Sequence, residues 1–186
     1  TVEAAVKGGV SMVQLREKES STREFVERAI RLKEVLTPYG VPLIINDRVD
    51  VALAADADGV HVGQSDMLYE MVKRLLPEGK IIGLSVESPE QVLEANNYDL
   101  DYVAASPVFS TTTKTNTIVE WGLDGLRWIR SVSRHPLVAI GGIHSNNVAS
   151  IFKAGADSVA VISAIVSADD PERAARELLE KSGEPH

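Results

Sequence analysis

The sequence predicts an α/β protein of the (β/α)8 TIM-barrel class, with the first strand of the barrel missing from the chain. Three observations predict it. Seven short apolar runs alternate with helical patterns along the 186 residues, and strands of that nearly continuous apolar kind belong to a parallel sheet covered on both faces. Phrases that place Ala and Gly at a helix end directly before an apolar strand recur, in KGGVSMVQ, AADADGVHV and KAGADSVAV. The polar residues that are costly to bury collect at the C-terminal ends of the strands, the edge where a barrel builds its sites. A closed barrel has eight strands. The remaining one is expected before residue 1, because TVEAAVKGG reads as the tail of a helix ending at Gly8-Gly9. A doubly wound open sheet is the rival, with its sites gathered at one topological switch.

The elements follow in order. Residues 10–15 form the first strand. Ser20-Ser21-Thr22 offers a helix cap, and Phe25, Ala29, Leu32, Val35 and Leu36 make the helical stripe behind it. Pro38 to Gly40 breaks that helix. Residues 42–46 are the next strand, followed by a short helix near 49–55 and a strand at 59–62. Asp66 is read as the cap of a helix running through Leu76. A strand at 81–85 precedes a helix opened by Ser88-Pro89-Glu90. A strand at 102–105 leads into a polar loop from Ser106 to Glu120, then a helix near 123–132. A strand at 137–140, a helix at 145–154 and a strand at 158–162 come next. Asp170-Pro171-Glu172 opens the last helix.

Composition bounds the function. One soluble domain is expected over residues 1–186. The hydrophobic share of 44% is too high for a disordered chain. There is no Cys, which removes disulfides, thiolate nucleophiles and any zinc site that needs sulfur. The formal net charge of −8 argues against a general nucleic-acid binder. No run reaches the length of apolar sequence that spans a membrane, and the N-terminus has no signal-peptide pattern. HExxH, GxSxG, Walker and GxGxxG motifs are all absent.

The strand ends carry the chemistry. Gln14, Arg16 and Lys18 alternate, so at strand spacing they point the same way, and an anion would offset the burial of two cations. Asp47 and Asp66 follow neighbouring strands. Two carboxylates, with waters and phosphate oxygens, suit Mg²⁺. Asp50 is a candidate to cap or stabilise its own short helix. The loop residues Thr111, Thr112, Thr113 and Lys114 supply hydroxyls and one cation that can hold a diphosphate, in a loop long enough to act as a lid. Gly141-Gly142 allows close backbone approach to a phosphate, and residues 162–166 read as the short extra helix of a barrel phosphate site. His61 reads as a packed or hydrogen-bonded histidine, His135 and His144 as loop residues, and Trp121 and Trp128 as helix-packing residues.

These phrases together resemble the thiamine-phosphate synthase family: VQLREK at 13–18, NDR at 46–48, DGVHVGQSDM at 58–67, IIGLS at 81–85, the TTTK loop to Lys114, VAIGGI at 138–143 and AVISAI at 160–165. The resemblance implies a cytoplasmic TIM-barrel transferase of thiamine biosynthesis. It would join 4-amino-5-hydroxymethyl-2-methylpyrimidine diphosphate to 4-methyl-5-(2-hydroxyethyl)thiazole phosphate, releasing diphosphate by way of a pyrimidine-stabilised carbocation. It further implies that Arg16, Lys18, Asn46 and Lys114 hold diphosphate, with Arg16, Lys18 and Lys114 in the catalytic role. Asp47 and Asp66 would hold Mg²⁺. Gln14 and Ser85 would line the pyrimidine pocket, and Thr111, Thr113, Gly142 and Ser163 the thiazole-phosphate side. A homo-oligomer and a fused thiazole kinase are compatible with the family. The thiazole tautomerase relative shares the barrel but uses a histidine where this chain has Pro107. A non-catalytic module binding the thiazole phosphate is the alternative from a different class.

Overall fold

Short apolar runs rich in Val, Ile, Leu and Ala form the strands: β1 (Val13–Leu15), β2 (Leu43–Asn46), β3 (Gly59–Val62), β4 (Ile81–Val86), β5 (Tyr102–Ala105), β6 (Leu137–Ile140) and β7 (Ser158–Ala160). The computed structural model describes residues 1–110 and 120–183. Sheet order equals chain order, β1 to β7, and every described pairing is parallel. The helices are α1 (Val2–Lys7), α2 (Thr22–Leu36), α3 (Val49–Ala54), α4 (Tyr69–Leu75), α5 (Pro89–Ala95), α6 (Gly122–Val132), α7 (Val148–Lys153), α8 (Ser163–Val166) and α9 (Pro171–Ser182). Parallel strands connected by helices make this an α/β fold. The described residues hold seven strands, consistent with an incomplete (β/α)8 barrel.

The chain divides into two compact units, residues 10–84 and residues 1–9 with 85–186. In the first, β2 is enclosed: Leu43, Ile44 and Ile45 have no exposed surface. Helix α2 buries Phe25, Ala29 and Leu36 and packs on β2 and α3. Its start is a full capping box, in which the Ser21 hydroxyl accepts from Glu24 N and the Glu24 carboxylate accepts from Ser21 N. Its end tightens into one 3-10 turn at Thr37–Tyr39 and stops at Gly40, whose φ of 64° suits glycine. The first residue of β3 must be glycine for another reason. A Cβ on Gly59 would lie 2.3 Å from the Ile81 carbonyl oxygen.

In the second unit, Val103, Ala104 and Ala105 of β5 are fully buried. Helix α1 packs on α9, and a Cβ on Gly8 would lie 2.2 Å from the Glu172 carbonyl oxygen. Helix α9 starts on Asp170, which accepts from Arg173 N at 3.0 Å, and ends at Gly183 with φ 79°. His135 sits in a loop, as expected, but is buried. Its Nδ1 lies 3.1 Å from Leu100 O and its Nε2 2.9 Å from Ala95 O, so it ties the end of α5 to the entry of β5.

The repeated Ala/Gly-Asp phrases have one structural cause. Asp58 Oδ2 accepts from Leu43 N at 2.8 Å, and Asp157 Oδ2 accepts from Leu137 N at 2.8 Å. Each Asp precedes a strand and satisfies the first backbone donor of the preceding strand. Its own N–H donates back to that same residue.

Several expected boundaries move, four of them with consequences for the strand ends. β1 begins at Val13 and ends at Leu15, so Arg16 and Lys18 lie beyond the hydrogen-bonded strand. β7 ends at Ala160. Asp66 caps no helix: α4 starts at Tyr69 after Leu68, and the Asp66 carboxylate is held in the turn before it. Helix α7 starts at Val148, because Asn147 closes a turn by accepting from His144 N and donating to Gly142 O. Among the described residues, no helix is long and apolar enough to cross a membrane.

Candidate active site

In the unit of residues 10–84, the loops after β1, β2 and β3 bring an anionic pair and a cationic pair together. β2 ends in Asn46, which is buried and in register with His61 of β3. The next residue, Asp47, turns out of the strand with φ 63°, a left-handed conformation that Asp and Asn tolerate better than most residues. Its N–H donates to His61 O at 2.8 Å, which fixes the turn. His61 is buried and engaged in its strand environment, as expected of a packed histidine.

Asp66 arrives from the loop after β3. Its Oδ2 accepts from Gly63 N at 2.7 Å, and its own N–H donates to Gly63 O. The two carboxyl groups meet. Burial, then a hydrogen bond to Asp66 and the charge of Asp66, push the Asp47 carboxyl up to about 6 from an ordinary value of 3.8. Arg16 and Lys18 pull in the opposite direction, so both cations lie within electrostatic reach of Asp47. They share that orientation because Glu17, between them, faces the other way: it accepts from Ser20 Oγ and pairs with Arg28 of α2. The alternation thus outlasts the strand. Gln14, Arg16 and Lys18 are all exposed, while Val13, Leu15 and Glu17 are half-buried.

Arg48 is directed elsewhere. It makes a two-pronged pair with Asp50, at 2.8 and 2.6 Å, and reaches Thr22 Oγ1. Asp50 therefore holds Arg48 within the first turn of α3 rather than capping the helix.

The Asp47–Asp66 pair fits Mg²⁺. Both groups are hard oxygen donors, and their mutual repulsion is what a cation relieves. Among the described residues no three His, Cys, Asp or Glu side chains gather as a cage.

The unit of residues 1–9 and 85–186 has its own strand ends. Ser85 is buried near the end of β4. The carbonyl of the next residue, Val86, accepts from Ser106 N at 3.3 Å and from Trp121 Nε1 at 3.2 Å. Trp121 also stacks on Trp128, with ring centres 6.2 Å apart and planes 10° from parallel. Gly141 and Gly142 end β6 with φ of 101° and 65°. A Cβ on Gly141 would lie 2.8 Å from Pro107 Cβ, and one on Gly142 2.7 Å from Phe109 Cβ. The two glycines are thus required by the 107–110 segment passing over the strand end. Val108 N and Phe109 N donate to Ile140 O and Gly141 O there. Ser163 is exposed at the start of α8. Glu87 is exposed, and its N–H donates to Gln91 Oε1. Thr111, Thr113 and Lys114 lie outside the described residues.

Two features, one in each unit, go beyond the expectations from sequence. One is Glu17 as the anchor that sets Arg16 and Lys18 apart from it. The spacing of Glu17 and Arg28, on either side of the Ser21 cap, is the signal that points to it. The other is the Trp121 indole locking the end of β4. Trp121 and Trp128 are seven residues apart, two helical turns, which places them on one face.

Known proteins resemble this chain over most of its length. The model of the thiamine monophosphate synthase family matches residues 1–165. A thiamine-phosphate synthase of Albidiferax ferrireducens is 54% identical over 170 residues, covering 91% of this chain and 78% of that protein. One from Vibrio parahaemolyticus is 51% identical over 178 residues, covering 96% of this chain and 87% of that protein. Among solved structures, the thiamine phosphate pyrophosphorylase of Pyrococcus furiosus superposes with a TM-score of 0.89 at 42% identity, covering 97% of this chain and 86% of that one. The orotidine 5'-phosphate decarboxylase of Pyrococcus horikoshii shares the fold alone, at a TM-score of 0.70 and 19% identity. The chain belongs to the thiamine monophosphate synthase family and is an enzyme of that family.

Proposed function

We propose that this chain joins 4-amino-5-hydroxymethyl-2-methylpyrimidine diphosphate to 4-methyl-5-(2-hydroxyethyl)thiazole phosphate, in the cytoplasm, to give thiamine phosphate and diphosphate. The observation that carries this reading is the meeting of the half-buried Asp47 and Asp66 carboxyl groups with Arg16 and Lys18 within electrostatic reach of Asp47. A diphosphate is the kind of ligand that needs both cations directly and the carboxylates through a metal.

The bond that breaks joins the pyrimidine methylene carbon to the diphosphate oxygen, and its electron pair leaves with diphosphate. The methylene cation left behind is stabilised by the aminopyrimidine ring. The bond that forms uses the lone pair of the thiazole nitrogen. Arg16, Lys18, Asn46 and Lys114 hold the leaving diphosphate and disperse its charge as the bond lengthens. Mg²⁺ held by Asp47 and Asp66 would neutralise further charge on that group. Gln14 and Ser85 orient the pyrimidine. Thr111, Thr113, Gly142 and Ser163 hold the thiazole phosphate. No proton has to be removed by a strong base along this route, which suits a histidine at 61 that is packed rather than displayed.

Steady-state kinetics separate the assignments. Arg16→Ala or Lys18→Ala should lower kcat/KM for the pyrimidine diphosphate about 100-fold. Inhibition by inorganic diphosphate should weaken in parallel, while KM for the thiazole phosphate stays within about threefold. Equal losses toward both substrates would contradict the division of the site.

A further inference from the structure

Residues 16–18 set a carboxylate between two cations. Arg16 and Lys18 are exposed, and Glu17 is half-buried. Consecutive Cα atoms are only about 3.8 Å apart, so Glu17 is the nearest counter-ion available to both cations. Acting as one, it would halve their combined positive charge. The backbone alone does not prevent this, because β1 ends at Leu15 and no strand ladder holds residues 16–18 in their alternation. Two groups engage Glu17 instead. Ser20 Oγ donates to Glu17 Oε2 at 2.8 Å, and the Arg28 guanidinium of α2 pairs with Glu17 Oε1. The Ser20 hydroxyl first, and Arg28 next, hold the Glu17 carboxyl below its ordinary value, so it is ionised at neutral pH. Of the two partners only Arg28 carries charge. The other carboxylate within its range on α2, Glu24, is already engaged in the capping box, where Ser21 N and Ser21 Oγ both donate to it at 2.9 Å.

We propose that Arg28 is a positioning residue of the anion site: by neutralising Glu17 it keeps that carboxylate from serving as counter-ion to Arg16 and Lys18, and so leaves both cations for an external anion. The inference rests on the reading of Arg16 and Lys18 as groups that hold diphosphate, and deepens it. Arg28 need not touch substrate for this, since it acts through Glu17 by charge. An exposed ion pair of this kind contributes little to folding stability. The role also differs in sign from that of a tether. If the Glu17–Arg28 contact only anchored residues 16–20 on α2, removing both partners would be at least as harmful as removing one. If Arg28 shields Glu17, removing the Glu17 charge restores what the loss of Arg28 took away.

Titration calorimetry of inorganic diphosphate into the full chain, with Mg²⁺ present, tests it. Arg28→Ala should weaken diphosphate binding about tenfold. Arg28→Lys, which keeps the charge, should stay within about threefold of the parent. Glu17→Gln added to Arg28→Ala should bring the dissociation constant back to within about threefold of the parent. In steady-state kinetics, KM for the pyrimidine diphosphate should follow the same order, while KM for the thiazole phosphate stays within about threefold throughout. Circular dichroism checks that each variant is folded. A parent that binds diphosphate no better than Arg28→Ala does overturns the proposal alone. So does a double variant as weak as Arg28→Ala, which would make the contact a tether, or an equal rise in both KM values. A parent that does not bind diphosphate at all overturns the reading of Arg16 and Lys18, and the proposal with it.

Discussion

Asp47 concentrates the conflict on which the site depends. It is held in a left-handed turn, half out of water, with a second carboxyl group against it. In the metal-free protein this arrangement is destabilising, and the sign follows from the direction of the shift. A carboxyl whose value rises from 3.8 to about 6 on folding binds more protons in the folded state between those values. Its contribution therefore erodes stability as pH rises from about 4 to beyond about 6. Asn keeps the left-handed turn and removes the charge, whereas Ala would add backbone strain at φ 63°. Without metal, Asp47→Asn should thus raise Tm by about 2–4 °C at pH 8, an effect of about 1 kcal/mol, and leave it unchanged near pH 4. The same variant should lose the Tm increase that Mg²⁺ gives the parent. Differential scanning calorimetry with and without Mg²⁺ reads both. A variant less stable than the parent at pH 8 without metal would mean that Asp47 serves the fold and not a ligand.

At the scale of elements, the strand-entry aspartates do the positioning. Asp58 and Asp157 each tie the start of one strand to the next, in the two units separately. Asp58→Ala or Asp157→Ala leaves the N–H of Leu43 or Leu137 without its acceptor. Each should cost about 1–3 kcal/mol, or several degrees in Tm. Asn at either position retains a carbonyl acceptor and should recover most of the loss, which thermal unfolding of the four variants measures. The same elements show what could be read in advance. Three strands, 59–62, 102–105 and 137–140, keep their expected bounds because a parallel strand buried on both faces has a sharp apolar signature. The starts of α4 and α7 both fall later than the sequence suggests. Asp66, a good cap by type, holds Gly63 N in the turn before α4, and Asn147, inside the helix expected from residue 145, donates to Gly142 O instead. Local capping chemistry cannot distinguish a helix start from a loop shaped for a ligand.

Across the whole molecule, a net charge of −8 coexists with a cationic patch. The balance disfavours polyanions in general, while Arg16 and Lys18 lie within electrostatic reach of Asp47, which meets Asp66. The alternation of Gln14, Arg16 and Lys18 was legible in the sequence. Its persistence beyond the end of β1 was not, because that depends on Glu17 reaching Arg28 of α2, a tertiary contact. The Asp47–Asp66 meeting was legible only as two strand ends; the turn at φ 63° that brings the carboxyl groups together is set by the fold. The central claim is tested most directly by supplying the folded, full-length protein with both substrates and following products. In the presence of Mg²⁺, thiamine phosphate and diphosphate should appear in equal amounts, and chelating the metal should stop both. A folded protein that forms neither product, or that releases diphosphate without thiamine phosphate, would contradict the account.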